Sequence, residues 1–232
     1  VSNLVDVEEA MYHYALDHDD AVGIFFDFEA AFPSVSHDLL LAYFRSLGWP
    51  PWLLQIIRVL YTNNFCLIAF NGSVFPGFEL CRGIRQGCPL SPLLFSVVTE
   101  LLLRRLRLKV GCSLRRAWAD DLAMILSAGL ARLPLLQSIF ADFQRISGLK
   151  IHAGKTVIVP LFRFNLLDVR GTIARGTPAW CGVQVADCAK YLGYYVGPGK
   201  GARSWNGPLE KFVARAQIWG SLGLGTVSYT HL

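Results

Sequence analysis

Leu114-Arg115-Arg116-Ala117-Trp118-Ala119-Asp120-Asp121-Leu122-Ala123-Met124-Ile125-Leu126 sets two adjacent carboxylates between two short apolar runs. Runs of that length around a polar break read as two strands joined by a hairpin turn. Adjacent acids repel one another and resist desolvation, which favours a turn over a strand interior. Two readings are open on this stretch alone: a solvated Asp-Asp turn, or a turn that holds a cation. A third carboxylate bears on the choice. Val22–Phe28 is a β-type apolar run in which Asp27 follows Ile24-Phe25-Phe26, so it too stands at a strand end. Three carboxylates on two neighbouring strand ends suit two divalent ions about 3.5–4 Å apart, an arrangement that serves in-line phosphoryl displacement. Magnesium prefers hard oxygen ligands and keeps water and substrate phosphates in its shell.

Outward from these strands, the elements alternate irregularly. Leu4–Leu16 has apolar residues at helical spacing with an acidic face. Ser36 and Asp38 cap a helix that stops at Gly48, and Pro50-Pro51 opens another through Tyr61. Phe65–Phe70 and Val74–Leu80 flank Asn71-Gly72, a strong hairpin signal. Gly83–Pro92 is a loop or tight backbone approach leading into a helix from about Ser91 to Lys109. Leu133–Ile146 is helical and ends at Ser147-Gly148. Thr156–Pro160 and Tyr191–Val196 read as strands, and Asn206–Ile218 as a last helix. Hairpins mixed with helices indicate α+β rather than a βαβ series.

The chain has 232 residues, 53% apolar and 17% charged, enough to bury a sizeable core and too apolar for a disordered chain. Its net charge of +5 averages two unlike regions. The first 38 residues hold nine acids and no Lys or Arg, whereas the remainder sums to +14. A +14 body suits a polyanionic partner such as nucleic acid. Arg104, Arg105, Arg107, Lys109, Arg115 and Arg116 form a run without an acid. It either tracks a phosphate backbone or is a solvated helix end. Mean hydropathy is +0.39, yet the longest uncharged run, Val59–Phe78, is broken by Asn, Gly, Ser and Pro, so no membrane span is expected. No secretory leader is expected at the start. Six cysteines lack zinc-ligand spacing and read as reduced intracellular thiols. Ala153-Gly154-Lys155-Thr156 fails as a nucleotide-binding P-loop, because Leu149 stands where that motif needs glycine.

Arg82-Gly83-Ile84-Arg85-Gln86-Gly87-Cys88-Pro89-Leu90-Ser91-Pro92-Leu93-Leu94-Phe95 resembles a signature of the reverse transcriptases of non-LTR retrotransposons. Asp27-Phe28-Glu29-Ala30-Ala31-Phe32 is similar to that family's Asp-x-x-x-Ala-Phe element, and Trp118-Ala119-Asp120-Asp121 to its Tyr-Ala-Asp-Asp turn. Ser147–His152 with Lys155-Thr156, then Tyr191-Leu192-Gly193, resemble the two motifs that follow. The ordered set spans roughly residues 20 to 197. The resemblance implies a right-hand polymerase palm, an antiparallel sheet backed by helices, with fingers and most of the thumb missing. It implies RNA-directed DNA polymerase chemistry with two Mg²⁺ ions, Mn²⁺ being a substitute. The partners it implies are an RNA template, a DNA primer, deoxynucleoside triphosphates and the remainder of a retroelement polyprotein.

Carried over residue by residue, Asp27, Asp120 and Asp121 become metal-binding and catalytic acids. Lys155 becomes a general acid near the leaving pyrophosphate. Phe28, Phe32, Gln86 and Gly87 become nucleotide contacts, with Phe32 the gate against a ribose 2′-OH. Arg85, Tyr191, Leu192 and Gly193 become nucleic-acid contacts. Two departures stand out: Pro33 follows Phe32 where relatives often carry aspartate, and Trp118 replaces tyrosine. Residues 1–200 are expected to form the palm, 201–222 the start of a thumb, and 223–232 a disordered or non-native tail. The piece by itself is expected to polymerise weakly or not at all. An intracellular place is expected, nuclear for the parent element. A mobile-intron maturase, a retron enzyme and a degenerate palm that only binds RNA or protein are the alternatives.

Overall fold

A computed structural model describes residues 2–111 and 113–221. In chain order it forms α1 (Ser2–Asp17), β1 (Val22–Phe26), β2 (Phe28–Glu29), α2 (Ala31–Ser34), α3 (His37–Ser46) and α4 (Pro51–Tyr61). There follow β3 (Phe65–Phe70), β4 (Ser73–Glu79), α5 (Ser91–Val110), β5 (Leu114–Trp118), β6 (Asp121–Leu126) and α6 (Gly129–Ser147). The chain continues through β7 (Lys150–Ile151), β8 (Val157–Pro160), α7 (Leu166–Gly176), β9 (Gln184–Val185), β10 (Ala189–Tyr191), β11 (Tyr194–Val196) and α8 (Arg203–Ser221).

Strand β1 is the centre of a five-stranded sheet of order β5-β6-β1-β8-β9. It pairs antiparallel with both β6 and β8, and β8 pairs parallel with β9. All five residues of β1 are buried because both sheet faces are covered. Val22, Ile24 and Phe26 face the larger core with Leu102 and Leu106 of α5 and Leu136 and Phe140 of α6. Phe25 faces a second core with Val7 and Met11 of α1 and with Tyr191. Such two-sided burial explains why the strand reads as continuous rather than alternating.

Local chemistry sets most boundaries. The Ser36 hydroxyl caps α3 by accepting from the Leu39 N–H at 3.3 Å. Asn71 and Gly72 both take left-handed φ, 48° and 77°, as a tight two-residue hairpin needs. Two expectations are corrected, and one region holds elements the sequence reading left blank. Tyr191–Val196 is not one strand: Leu192 and Gly193 turn at φ 48° and 89°, splitting it into the β10–β11 hairpin. Helix α6 begins at Gly129, ahead of Pro134, rather than at Leu133. The region after Pro160 holds α7, a short 3₁₀ turn at Pro178–Trp180 and β9, none of which the sequence pattern announced. Among the described residues, no helix is long and apolar enough to cross a membrane. Residues 223–232, the expected tail, lie outside the described part.

Candidate active site

Register builds the carboxylate end of the sheet. Phe26 pairs with Leu122, so Asp27 leaves β1 opposite Asp121, the first residue of β6. Trp118 pairs with Asp121, which makes Ala119-Asp120 the two-residue turn, with Ala119 at φ 51°. Asp27 is fixed from behind. Its N–H donates to the buried Thr156 hydroxyl at 3.3 Å, and its carbonyl accepts from the His152 N–H at 2.8 Å. One carboxylate oxygen, Oδ2, is buried without a hydrogen-bond partner. The Lys155 ammonium lies 3.9 Å from that oxygen, an ion pair beyond hydrogen-bond length.

Electrostatics show that the three acids share one space. Desolvation raises the Asp121 carboxyl above the ordinary range, and the charges of Asp120 and Asp27 push the same way. A raised folded value means that ionising Asp121 costs stability. The cost is absent below the ordinary value of 3.8, where folded and unfolded forms are both protonated. It sets in as pH rises through that value and is complete above the raised one. Asp121→Asn is therefore expected to raise the Tm of the chain in chelator at pH 7, the gain shrinking as pH falls toward about 4. A calorimetric series that found the gain constant with pH would contradict this origin.

A second unit follows Asp27 along the chain. The Phe32 ring stacks on Phe95 with centroids 4.7 Å apart and planes 15° from parallel. Two backbone bonds tie the Phe32–Val35 segment to the glycine loop: Ile84 N–H to the Phe32 carbonyl at 2.7 Å, and Gly83 N–H to the Val35 carbonyl at 2.8 Å. A Cβ on Gly83 would lie 2.7 Å from the Pro33 carbonyl oxygen, so only glycine allows this approach. Arg85, Gln86 and Gly87 follow, all exposed, with Gly87 at φ 84°. The Arg85 guanidinium donates to the Asn64 carboxamide oxygen.

The structure thus gathers Asp27, Asp120, Asp121 and Lys155, and links Phe32 to the loop carrying Gln86 and Gly87. Two residues expected at the surface are elsewhere. The Phe28 ring is buried against Phe140, so only its backbone can meet a nucleotide. Tyr191 is buried against Phe25, and its hydroxyl donates to the Arg116 carbonyl at 3.3 Å. Burial, with the Asp121 charge, pushes its phenol up to about 12. Of that motif, Gly193 is exposed at the turn. Sequence reasoning missed Thr156 as the anchor of Asp27 and Phe95 as the support of Phe32. The only local signals were that each sits inside a recognised motif. Among the described residues, no group of three or more His, Cys, Asp or Glu is by itself arranged to hold a metal ion.

A sheet bearing carboxylates at adjoining strand ends, covered by helices and flanked by a glycine loop, defines a polymerase palm. The chain belongs to the reverse transcriptase (RNA-dependent DNA polymerase) family, whose pattern matches residues 3–196. It is 32% identical over 139 residues to the Pol polyprotein of the type-2 retrotransposable element R2DM of Drosophila melanogaster, spanning 57% of this chain and 13% of that protein. It is 31% identical over 120 residues to a Xenopus laevis transposon TX1 149 kDa protein, spanning 51% and 9%. A Popillia japonica R2 polyprotein is 30% identical over 142 residues, spanning 57% and 20%. The chain therefore corresponds to a small part of these relatives. Apo telomerase from Candida tropicalis, truncated from its C-terminal domain, shares the fold at TM-score 0.61 and 12% identity, over 85% of this chain and 38% of that one.

Proposed function

We propose that this chain is the palm of a retroelement polymerase that extends a DNA primer on an RNA template. The observation that carries the reading is the β1–β6 register, which brings Asp27 to Asp121 beside the Asp120 turn in a chain of this family. The residues fit a pair of Mg²⁺ ions held in an open site. Asp27 offers a buried oxygen with no other partner. The mutual charge that raises Asp121 is what a cation would relieve. Asp27 and Asp120 would be the principal ligands and Asp121 the third. When bound, the ions supply charge neutralisation at the attacking and leaving oxygens.

The chain's own groups do the rest. Lys155, exposed and 3.9 Å from Asp27, would give a proton to the departing pyrophosphate. Phe32, braced by Phe95, fills the room a ribose 2′-OH needs. Gly87 lets the template and nucleotide approach the backbone, with Gln86 alongside. The test is a primed RNA template with the parent protein. Extension with deoxynucleotides is expected in Mg²⁺ and none in chelator; chelator-resistant extension would overturn the assignment. Phe32→Val is expected to raise ribonucleotide incorporation relative to deoxynucleotide, measured as a ratio of kcat/KM values. An unaltered ratio would remove Phe32 from the gate.

A further inference from the structure

The basic run singled out in the sequence divides in the fold. The Arg105 guanidinium is held by Asp142, and Lys109 lies in the last turn of α5. Four others converge. Arg104 and Arg107 come from one face of α5, and Arg115 and Arg116 from β5, the edge strand of the sheet. Between them lies a groove of about 300 Å³, whose lining holds these four arginines and one acid, Glu100. Glu100 engages Arg104 at 2.8 Å, and Asp6 of α1 reaches Arg116 at 2.8 Å. The Arg115 guanidinium donates to the Gly111 carbonyl at 3.0 Å and to the Ser113 hydroxyl. Four guanidinium groups thus line one groove together with a single carboxylate.

Helix-end stabilisation accounts for Arg107 and Lys109, because cations favour the last turn. It does not account for two strand arginines meeting the same groove. Nor does the groove belong to the carboxylate site. Arg115 pairs with Met124, three residues along β6 from Asp121, roughly 10 Å away. Arg107 is twelve residues along α5 from Phe95, roughly 18 Å. Guanidinium forks match phosphate oxygens in pairs, better than lysines do. Leu103 and Leu114 in the lining give apolar surface for sugars.

We propose that this α5–β5 groove binds the phosphodiester backbone of a nucleic-acid strand, as a second contact away from the catalytic end. A phosphate backbone is favoured over an acidic polypeptide because the chain belongs to a family of nucleic-acid polymerases and its residues after position 38 sum to +14. The proposal does not depend on the catalytic reading, since a chain unable to polymerise would still bind there.

The 232-residue chain is titrated with labelled RNA and with DNA of the same sequence, in chelator, across a salt series. Arg104→Gln with Arg107→Gln is expected to weaken strand binding roughly tenfold at low salt. It should also lower the slope of log affinity against log salt by about 1 to 2. Both arginines lie on the surface of α5, and the Arg104–Glu100 pair is exposed, so little stability is at stake. The paired Lys substitutions should keep most of the slope but lose part of the affinity. Equal losses for RNA and DNA place recognition in the phosphates; a loss confined to RNA adds the 2′-OH to it. Unchanged affinity and slope in the Gln variant would overturn the proposal. So would an equal loss of poly-glutamate binding, which would make the groove a general acid-binding face.

Discussion

Asp120→Asn is expected to lower nucleotide addition on a primed RNA template by about a hundredfold to a thousandfold while leaving the chain folded. The size follows from what is removed. Asn keeps the shape of the side chain and one acceptor oxygen, but it takes away a full negative charge from the turn that faces Asp27 and Asp121. The carboxylate would act by holding Mg²⁺, whose charge at the reacting oxygens is worth several kcal/mol. The fold loses little, because Asp120 is exposed at the tip of the β5–β6 hairpin. Removing its charge also relieves one of the causes that raise Asp121. Single-turnover addition by the parent protein, alongside a thermal melt, separates the two effects. Normal addition would take Asp120 out of the site, and a collapsed melt would make the turn structural. Lys155→Met should act differently, slowing the chemical step in single-turnover addition while leaving nucleotide affinity nearly unchanged if the ammonium donates the proton.

The carboxylates were legible because each motif is local. Asp27 closes an apolar strand, and Asp120-Asp121 sits in a hairpin whose runs are short and apolar. Caps and turns were legible for the same reason: Ser36 before α3, and Asn71-Gly72 between β3 and β4, act on their own backbone. What escaped is non-local. The Thr156 hydroxyl meets the Asp27 N–H across 129 residues of sequence, and no periodicity records such a contact. The two-residue pair β2–β7 joins Phe28 to Ile151 in the same way. Leu192 adopts a left-handed φ that its type disfavours. Tertiary packing of Tyr191 and Val196 into the second core sets that turn, against the local preference for one continuous strand. Helix α7 was hidden by Gly171 at its middle, although Asn165 caps it by accepting from the Leu167 N–H at 2.9 Å. The placement of Phe28 illustrates the limit of a motif: the spacing located the strand end, whereas packing against Phe140 decided which way its ring points.

Gly148→Ala is expected to destabilise the chain by roughly 3 kcal/mol, and to reach the site through the backbone. Gly148 follows α6 at φ 80°, its N–H bonded to the Gln144 carbonyl at 2.9 Å. A left-handed φ costs an L-residue about 1–2 kcal/mol. The added Cβ would also fall 2.2 Å from the Ser34 carbonyl oxygen, a backbone atom that cannot swing aside. Next to it, the Ser36 N–H donates to the Ser147 carbonyl at 2.8 Å, so the end of α6 is fastened to the segment carrying Phe32. Displacing Ser34 therefore shifts the Phe32 segment as well as the core. Gly171→Ala is the matched contrast. Gly171 lies inside α7, has no positive φ, and its Cβ would meet nothing within 4 Å. There alanine should stabilise by about 0.5–1 kcal/mol, through helix propensity and a less free unfolded chain. Urea titrations of both variants decide the matter: the midpoints should move in opposite directions at a common slope. A rise in both midpoints would mean that the Ser34 carbonyl yields to a Cβ at position 148, and a fall in both that Gly171 is needed in α7. In the parent protein, Gly148→Ala should also weaken sugar selection at temperatures where it remains folded, because Phe32 shares the short helix α2 with Ser34. Full selection there would confine the glycine to stability alone.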